Sequence, residues 1–327
     1  MIKLVKKSCL FLMILVAIFT MTSCGDEDNN GTPISIQIYT ENGRPYLNFG
    51  RYPQTVVSDE NLIKELEKIT ETNSFGYIEY NGEEYKKHVA DPLFYYYKFP
   101  NGDTIVHGQI YYFKVEPIKW RVLKASDGSY KLLSEYLLDS KQFYGSTPER
   151  IIDGNSVYES NYEYSTIRAW LNGYNGTNYD VEDYTNKGFI DIAFTEEEKA
   201  IIKTTLVDNS VETTNYSINP YVCNNTNDKI YLLSYQEAIN PLYGFNSDGV
   251  YKDSLKVAKV TDYALASNCI IANPNNNNMA GEWFLRSPDR FFGVCFVSFD
   301  GDVTGVGNCL RDDCGVRPAL EIEYTIQ

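Results

Sequence analysis

The sequence predicts an α+β fold, and three observations carry the prediction. Short apolar stretches, rich in tyrosine and β-branched residues, recur along the chain. Dipeptides that suit two-residue hairpin turns punctuate them at Asn81-Gly82, Asn101-Gly102 and Asp300-Gly301, where positive φ is tolerated. Between these stretches lie short segments with helix-capping chemistry. Short strands interleaved with short helices and closing in hairpins define the α+β class.

Taken in order, the chain opens with Lys3, Lys6 and Lys7 before an apolar run from Cys9 to Phe19. That run has the length of a secretory core and is too short to span a bilayer. It ends in "MTSC", which resembles a bacterial lipobox, so residues 1–23 read as a signal peptide and Cys24 as the lipid-attachment residue. Residues 24–43 begin with the acidic "GDEDNN" and read as a tether, with "ISIQIY" as a possible first strand. "RPYLNFGRYPQT" carries Gly50 and Pro53 as breakers. "SDENLIKELEKITET" is a helix, capped by Ser58 or Asp59, with Leu62, Ile63, Leu66 and Ile69 on one face. A hairpin around Asn81-Gly82 and a tyrosine-rich stretch follow. The latter ends in a strand where Ile118, Trp120 and Val122 share a face. "SYKLLSEYLLDS" and "DKIYLLSYQEAI" each read as a strand running into a turn or helix. "STIRAWLN", "TEEEKAII" (with a capping box from Thr195 to Glu198) and "VTDYALAS" read as short helices. The end is strand-rich: "EWFLRSP", the Asp300-Gly301 hairpin and "CGVRPALEI".

Composition narrows the function classes. The formal charge is −15; loss of the leader leaves 26 basic against 44 acidic residues, a net of −18. Such a chain lacks the basic footprint that nucleic acid demands. It is also repelled by anionic lipid, so the expected contact with a bilayer is an acyl anchor, where each buried methylene contributes about 0.8 kcal/mol. The 28 tyrosines suit both a core and an adhesive surface, because the ring is amphipathic and loses little entropy on contact. The expected location is the outer membrane or cell surface, and the expected partner there is an extracellular glycan or protein.

Nine motifs occur in sequence: "FGRYPQT", "EPIKWRVL", "LLSEYLLD", "STIRAWLN", "AFTEEE", "LLS..EA", "TDYA", "WFLRSP" and "GVRPAL". Together they resemble a family of bacterial exported domains of unknown function, from about Arg44 to Ile326. That family is similar in turn to sulfatase-modifying factors and C-type-lectin-like domains. Those end in a comparable tryptophan-bearing strand, hairpin and glycine-hydrophobic-arginine strand. The resemblance implies a single C-type-lectin-like domain over 44–327 and no defined activity, since fold alone does not fix function.

The chemistry-bearing residues are few. The chain contains no HExxH, nucleophile elbow, phosphate loop or paired CxxC. Formylglycine-generating enzymes, within the sulfatase-modifying-factor group, bind copper through a cysteine pair near the C-terminus. The resemblance therefore makes Cys309 and Cys314 an alternative Cu+ site and the chain an alternative oxygen-dependent enzyme. Here the pair runs straight into Gly315, without the longer segment those enzymes have. A local disulfide or two incidental thiols is the competing reading. Asn275, Asn277, Asp300 and Asp302 form a candidate binding loop with oxygens for Ca2+, although Asx-rich loops also form plain turns. Trp120, Trp283, Arg286 and Arg317 read as structural, the two arginines pinning the terminal strands to nearby loops. No catalytic residue, cofactor or metal is expected; the expected role is non-catalytic binding, with a structural envelope protein as a further alternative.

Overall fold

The computed structural model describes residues 34 and 36–323, apart from 127, 146–148, 153, 176–182, 250–251, 274–277, 291–292 and 309–310. Strand accounts for 40% and helix for 15%, in several antiparallel sheets. The chain is therefore mostly β, and the α+β, C-type-lectin-like assignment is overturned. The cause lies in element length. The segments with helical signals close only one or two turns, while strands run through residues that look like breakers.

Arg44–Val56 shows this clearly. Gly50 and Pro53 do not end the strand; the register shifts between Asn48 and Arg51 and again between Pro53 and Thr55. A bulge absorbs the residue that cannot join the ladder and adds twist. Conversely, the helix after Asp59 covers only Glu60–Leu66, although Asp59 Oδ1 caps Asn61 and Leu62 N–H. Beyond it stand Ile69, Thr70 and Thr72, whose β-branched side chains are stiff and lower helix propensity.

The largest sheet has eight strands. Its main path runs Ile38–Glu41, Arg44–Val56, Ile110–Ser126, Ser129–Ser134, Ala319–Glu323 and Ile230–Tyr231. The hairpin Ile78–Tyr80/Glu83–Val89 joins at Ile110–Ser126. This 17-residue strand is the spine: its start pairs with Glu83–Val89, its middle with Arg44–Val56 and its end with Ser129–Ser134. Asn81 and Gly82 both have positive φ in the connecting turn.

A second sheet runs Val303–Asn308, Gly293–Val297, Trp283–Arg290, Gly315–Val316 and Asp139–Ser140. "CGVRPALEI" is thus two strands, not one. Gly315–Val316 belongs to this second sheet and Ala319–Glu323 to the first, with Arg317 and Pro318 at the crossing. Proline has no N–H for a ladder, and here its carbonyl accepts from Ser134 N–H at 3.0 Å. A continuous core spans Ile36 to Ile322 and contains both Trp120 and Trp283. Among the described residues, no helix is long and apolar enough to cross a membrane.

Candidate functional site

The run Phe94-Tyr95-Tyr96-Tyr97 lies between strands and folds as a loop. Tyr97 is buried, its hydroxyl accepting from Ile271 N–H at 3.2 Å. Phe99 and Ile105 are buried beside it, and backbone bonds from Ile105 to Tyr97 and from Phe99 to Asp103 brace the loop. With the loop anchored, the three preceding rings face outward. Phe94 and Tyr96 stack at 5.1 Å with 7° between their planes, and Tyr95 stands edge-on to Tyr96 at 5.4 Å. Tyr95 is 85% exposed, far more than a core-forming ring. Val89 and Ile110, paired across their strands, are also exposed. Together these side chains leave exposed apolar and aromatic surface on a strongly acidic chain.

A separate cleft has a volume of about 420 Å³. Its lining includes Asn48, Gln54, Glu116, Lys119, Tyr136 and Asp262. The bulges of Arg44–Val56 flank Asn48 and Gln54 in this wall. Asp262 starts the short helix Asp262–Ala266, and its carboxylate accepts from Val56 N–H at 3.0 Å. Burial pushes the Asp262 carboxyl up; the Val56 N–H opposes this, and Glu116 adds to it. At the other end of the same helix, Ala266 C=O accepts from Asp91 N–H at 2.8 Å, three residues before Phe94. The helix rises about 1.5 Å per residue, so its two ends are only about 6 Å apart along the axis.

The residues read as structural lie elsewhere. Trp120 and Trp283 are fully buried, their indole N–H groups donating to Phe49 C=O at 2.7 Å and Lys256 C=O at 3.1 Å. Arg317 is also fully buried. Its Nε donates to Ser134 C=O at 2.9 Å and Nη1 to Lys256 C=O at 3.0 Å, and the guanidinium lies 4.9 Å above the Trp283 ring. Glu135 stands 4.0 Å from Nη2 but is engaged by Arg121 at 2.7 Å. Burial first, then Arg121, lower the Arg317 pKa to about 9, so it remains a cation at neutral pH.

Arg286 forms part of a second cleft, of about 280 Å³. It donates to Leu232 C=O at 2.6 Å, Asp208 C=O at 3.0 Å, Asn209 Oδ1 at 3.2 Å and the Glu237 carboxylate. Glu237 also accepts from Lys131 at 2.9 Å and from Ser234 N–H at 3.0 Å. Despite its own desolvation, these cations lower the Glu237 carboxyl to about 2. Lys131 and Tyr231 carry no signal in the sequence, and Ser234 and Glu237 read only as a helix start. Their meeting depends on Ser129–Ser134 and Ile230–Tyr231 both pairing with Ala319–Glu323, far along the chain.

Of the candidate loop, Asp300 is paired with Lys252 at 2.6 Å, and Asp302 N–H donates to Ser298 Oγ at 3.3 Å. Asn275 and Asn277 lie outside the described residues, as do Cys24 and Cys309. Cys314 is a free, fully buried thiol whose pKa is pushed well up by burial. The thiolate is the metal-binding form; burial opposes it at Cys314, and the Arg311 cation favours it. Among the described residues, no three His, Cys, Asp or Glu side chains converge as a metal site.

These features define a mostly β protein with polar clefts and exposed aromatic rings. Residues 127–324 match the family described as a domain of unknown function, DUF6273, and the chain belongs to that family. No curated protein and no solved structure matches it. The Arg286 cleft lies wholly within the matched span, whereas Phe94, Tyr95 and Tyr96 precede it.

Proposed function

We propose that this chain is an exported, lipid-anchored and non-catalytic binding module, and that its ligand is a neutral glycan. Export and anchoring rest on the basic, apolar leader ending at Cys24, and an envelope location follows from them. The observation that carries the glycan reading is the set of exposed rings at Phe94, Tyr95 and Tyr96. Flat aromatic surfaces take up the C–H faces of pyranose rings, and tyrosine loses little conformational entropy on contact. The cleft lined by Asn48, Gln54, Glu116 and Asp262 supplies amides and carboxylates of the kind that bond vicinal hydroxyls. The net charge of −18 without the leader disfavours anionic glycans and leaves neutral ones. The test compares the mature chain with a Tyr95→Ala, Tyr96→Ala double variant on a panel of immobilised neutral polysaccharides. Aromatic anchors contribute at least about 2 kcal/mol when they dominate a contact, so binding should weaken at least tenfold. A panel that binds neither protein, or both equally, overturns the reading.

A further inference from the structure

We infer that the cleft formed by Lys131, Tyr231, Glu237 and Arg286 is a separate binding site that takes one neutral, polyhydroxylated ring of hexose size. Three features of the cleft select that ligand. The first is volume: about 280 Å³ lies just below the range of roughly 300–1,000 Å³ for ligand pockets, enough for one sugar ring and too little for a chain of them.

The second is charge. Lys131 bonds Glu237 at 2.9 Å and faces Glu321 at 3.5 Å, while Arg286 bonds Glu237 from the other side. Asp208, also in the lining, turns its carboxylate to Ser210 N–H at 2.9 Å. Two cations face two anions and the remaining carboxylate is capped. An ionic ligand would have to break one of these largely buried pairs, which is costly; a neutral one would not.

The third is hydrogen-bonding capacity. Tyr231 is 1% exposed and lines the cleft, yet its hydroxyl has no hydrogen-bond partner. Thr205, also in the lining, has an unpartnered buried hydroxyl as well. Each of these groups can donate and accept, and leaving a buried hydroxyl unpaired is unfavourable. A ligand that offers both donors and acceptors is itself hydroxylated. Lys131 Nζ stands 5.5 Å from the Tyr231 ring and 5.6 Å from that of Tyr243, so a ring entering the cleft meets these groups with both ion pairs of Lys131 kept. Leu206 and Val207 supply an apolar wall for its C–H face.

The site does not depend on the aromatic surface at Phe94–Tyr96, and either can fail alone. The test is an NMR titration of the intact mature chain with glucose, galactose and mannose, with glucuronate and glucosamine as charged controls. The titration is repeated on Tyr231→Phe, which removes only the hydroxyl, and on the Tyr95→Ala, Tyr96→Ala variant. We expect saturable shifts around Lys131 and Tyr231 with a neutral hexose, and weaker response to both charged analogues. Loss of one neutral hydrogen bond predicts about three- to tenfold weaker binding in Tyr231→Phe. The Tyr95, Tyr96 variant should bind the free hexose as the wild type does. Unchanged affinity in a Tyr231→Phe protein that melts like the wild type overturns the proposal. So does preference for a charged analogue, or the absence of saturable binding by any neutral hexose.

Discussion

Replacing Arg317 with alanine removes the guanidinium that spans the crossing between the two main sheets. It takes away hydrogen bonds to Ser134 C=O and Lys256 C=O and the stack on Trp283. Hydrogen bonds to a charged donor contribute about 1.5–3 kcal/mol each, and truncating a large buried side chain adds a cavity term. Against this stands relief. Arg317 Nη2 has no hydrogen bond, and the Arg121 cation opposes its charge. The gains outweigh the relief, because Lys256 C=O keeps only Trp283 and the space beside the indole empties. A net loss of about 3–5 kcal/mol is expected: two such bonds give about 3–6 kcal/mol, the cavity adds to this and the relief subtracts. At about 2–4 °C per kcal/mol for a large domain, the melting temperature should fall by roughly 6–20 °C. Arg317→Lys should lose part of this, since an ammonium is a point donor and lacks the planar fork. Arg317→Met, which fills the space without charge, should be milder than alanine. Thermal melts of the four proteins at neutral pH give the answer. Melting of Arg317→Ala within about a degree of the wild type, combined with loss of ligand binding, would refute the argument and move Arg317 into a site.

Three further outcomes are expected. Gly301 has φ +87° and a Cβ there would lie 2.1 Å from Asp253 C=O, so Gly301→Ala should cost at least about 2–3 kcal/mol. Gly43→Ala, at φ +77° but with no neighbour within 4 Å, should cost about 1 kcal/mol; equal chemical-denaturation midpoints for the two would contradict the contact. Glu237 has its carboxyl lowered from 4.5 to about 2 in the folded chain, so the stability it contributes is present above pH 4.5 and drains away as pH falls toward 2. The shift corresponds to about 3 kcal/mol, and the melting difference between wild type and Glu237→Gln should shrink through that window; a gap constant with pH would refute it. Cys24→Ala should lose acyl labelling and leave the membrane fraction, and retention in the membrane would point to another anchor.

Local signals in the sequence were dependable where the physics is local. Asn81-Gly82 turns with positive φ at both residues, and the box at Thr195 and Glu198 closes as a reciprocal cap. Each involves a few neighbouring residues whose conformational preferences suffice. Element length was another matter. Nothing near Gly50 or Pro53 reveals that Ile110–Ser126 lies alongside to carry the strand through two register shifts. Likewise, the helix-like pattern after Leu66 yields to β-branched residues. The fold class failed for that reason: short helices and long strands leave similar punctuation, and pairing decides which dominates.

The clefts were illegible for a stronger version of the same reason. Asn48, Glu116, Tyr136 and Asp262 share one wall, yet no two are close enough in sequence to form a motif. The arginines show how far a motif does reach. "WFLRSP" and "GVRPAL" each place an arginine among apolar residues, and that pattern implies burial with carbonyl partners. It does not distinguish a side chain sealed under a strand from one in the wall of a cleft. Arg317 is fully sealed, whereas Arg286 meets Glu237 at the edge of an open volume. The difference comes from Lys131, brought to Glu237 through the pairing of Ser129–Ser134 with Ala319–Glu323 and of that strand with Ile230–Tyr231. With Lys131 present, Glu237 is shared between two cations, and the carboxylate need not be buried under Arg286 alone. A double-mutant cycle between Lys131→Met and Arg286→Met follows from this. The two cations compete for one carboxylate, so losing both should cost more than the sum of the single losses. Simple additivity would mean that each arginine and lysine is held by its other partners, and that the cleft is polar by accident of packing.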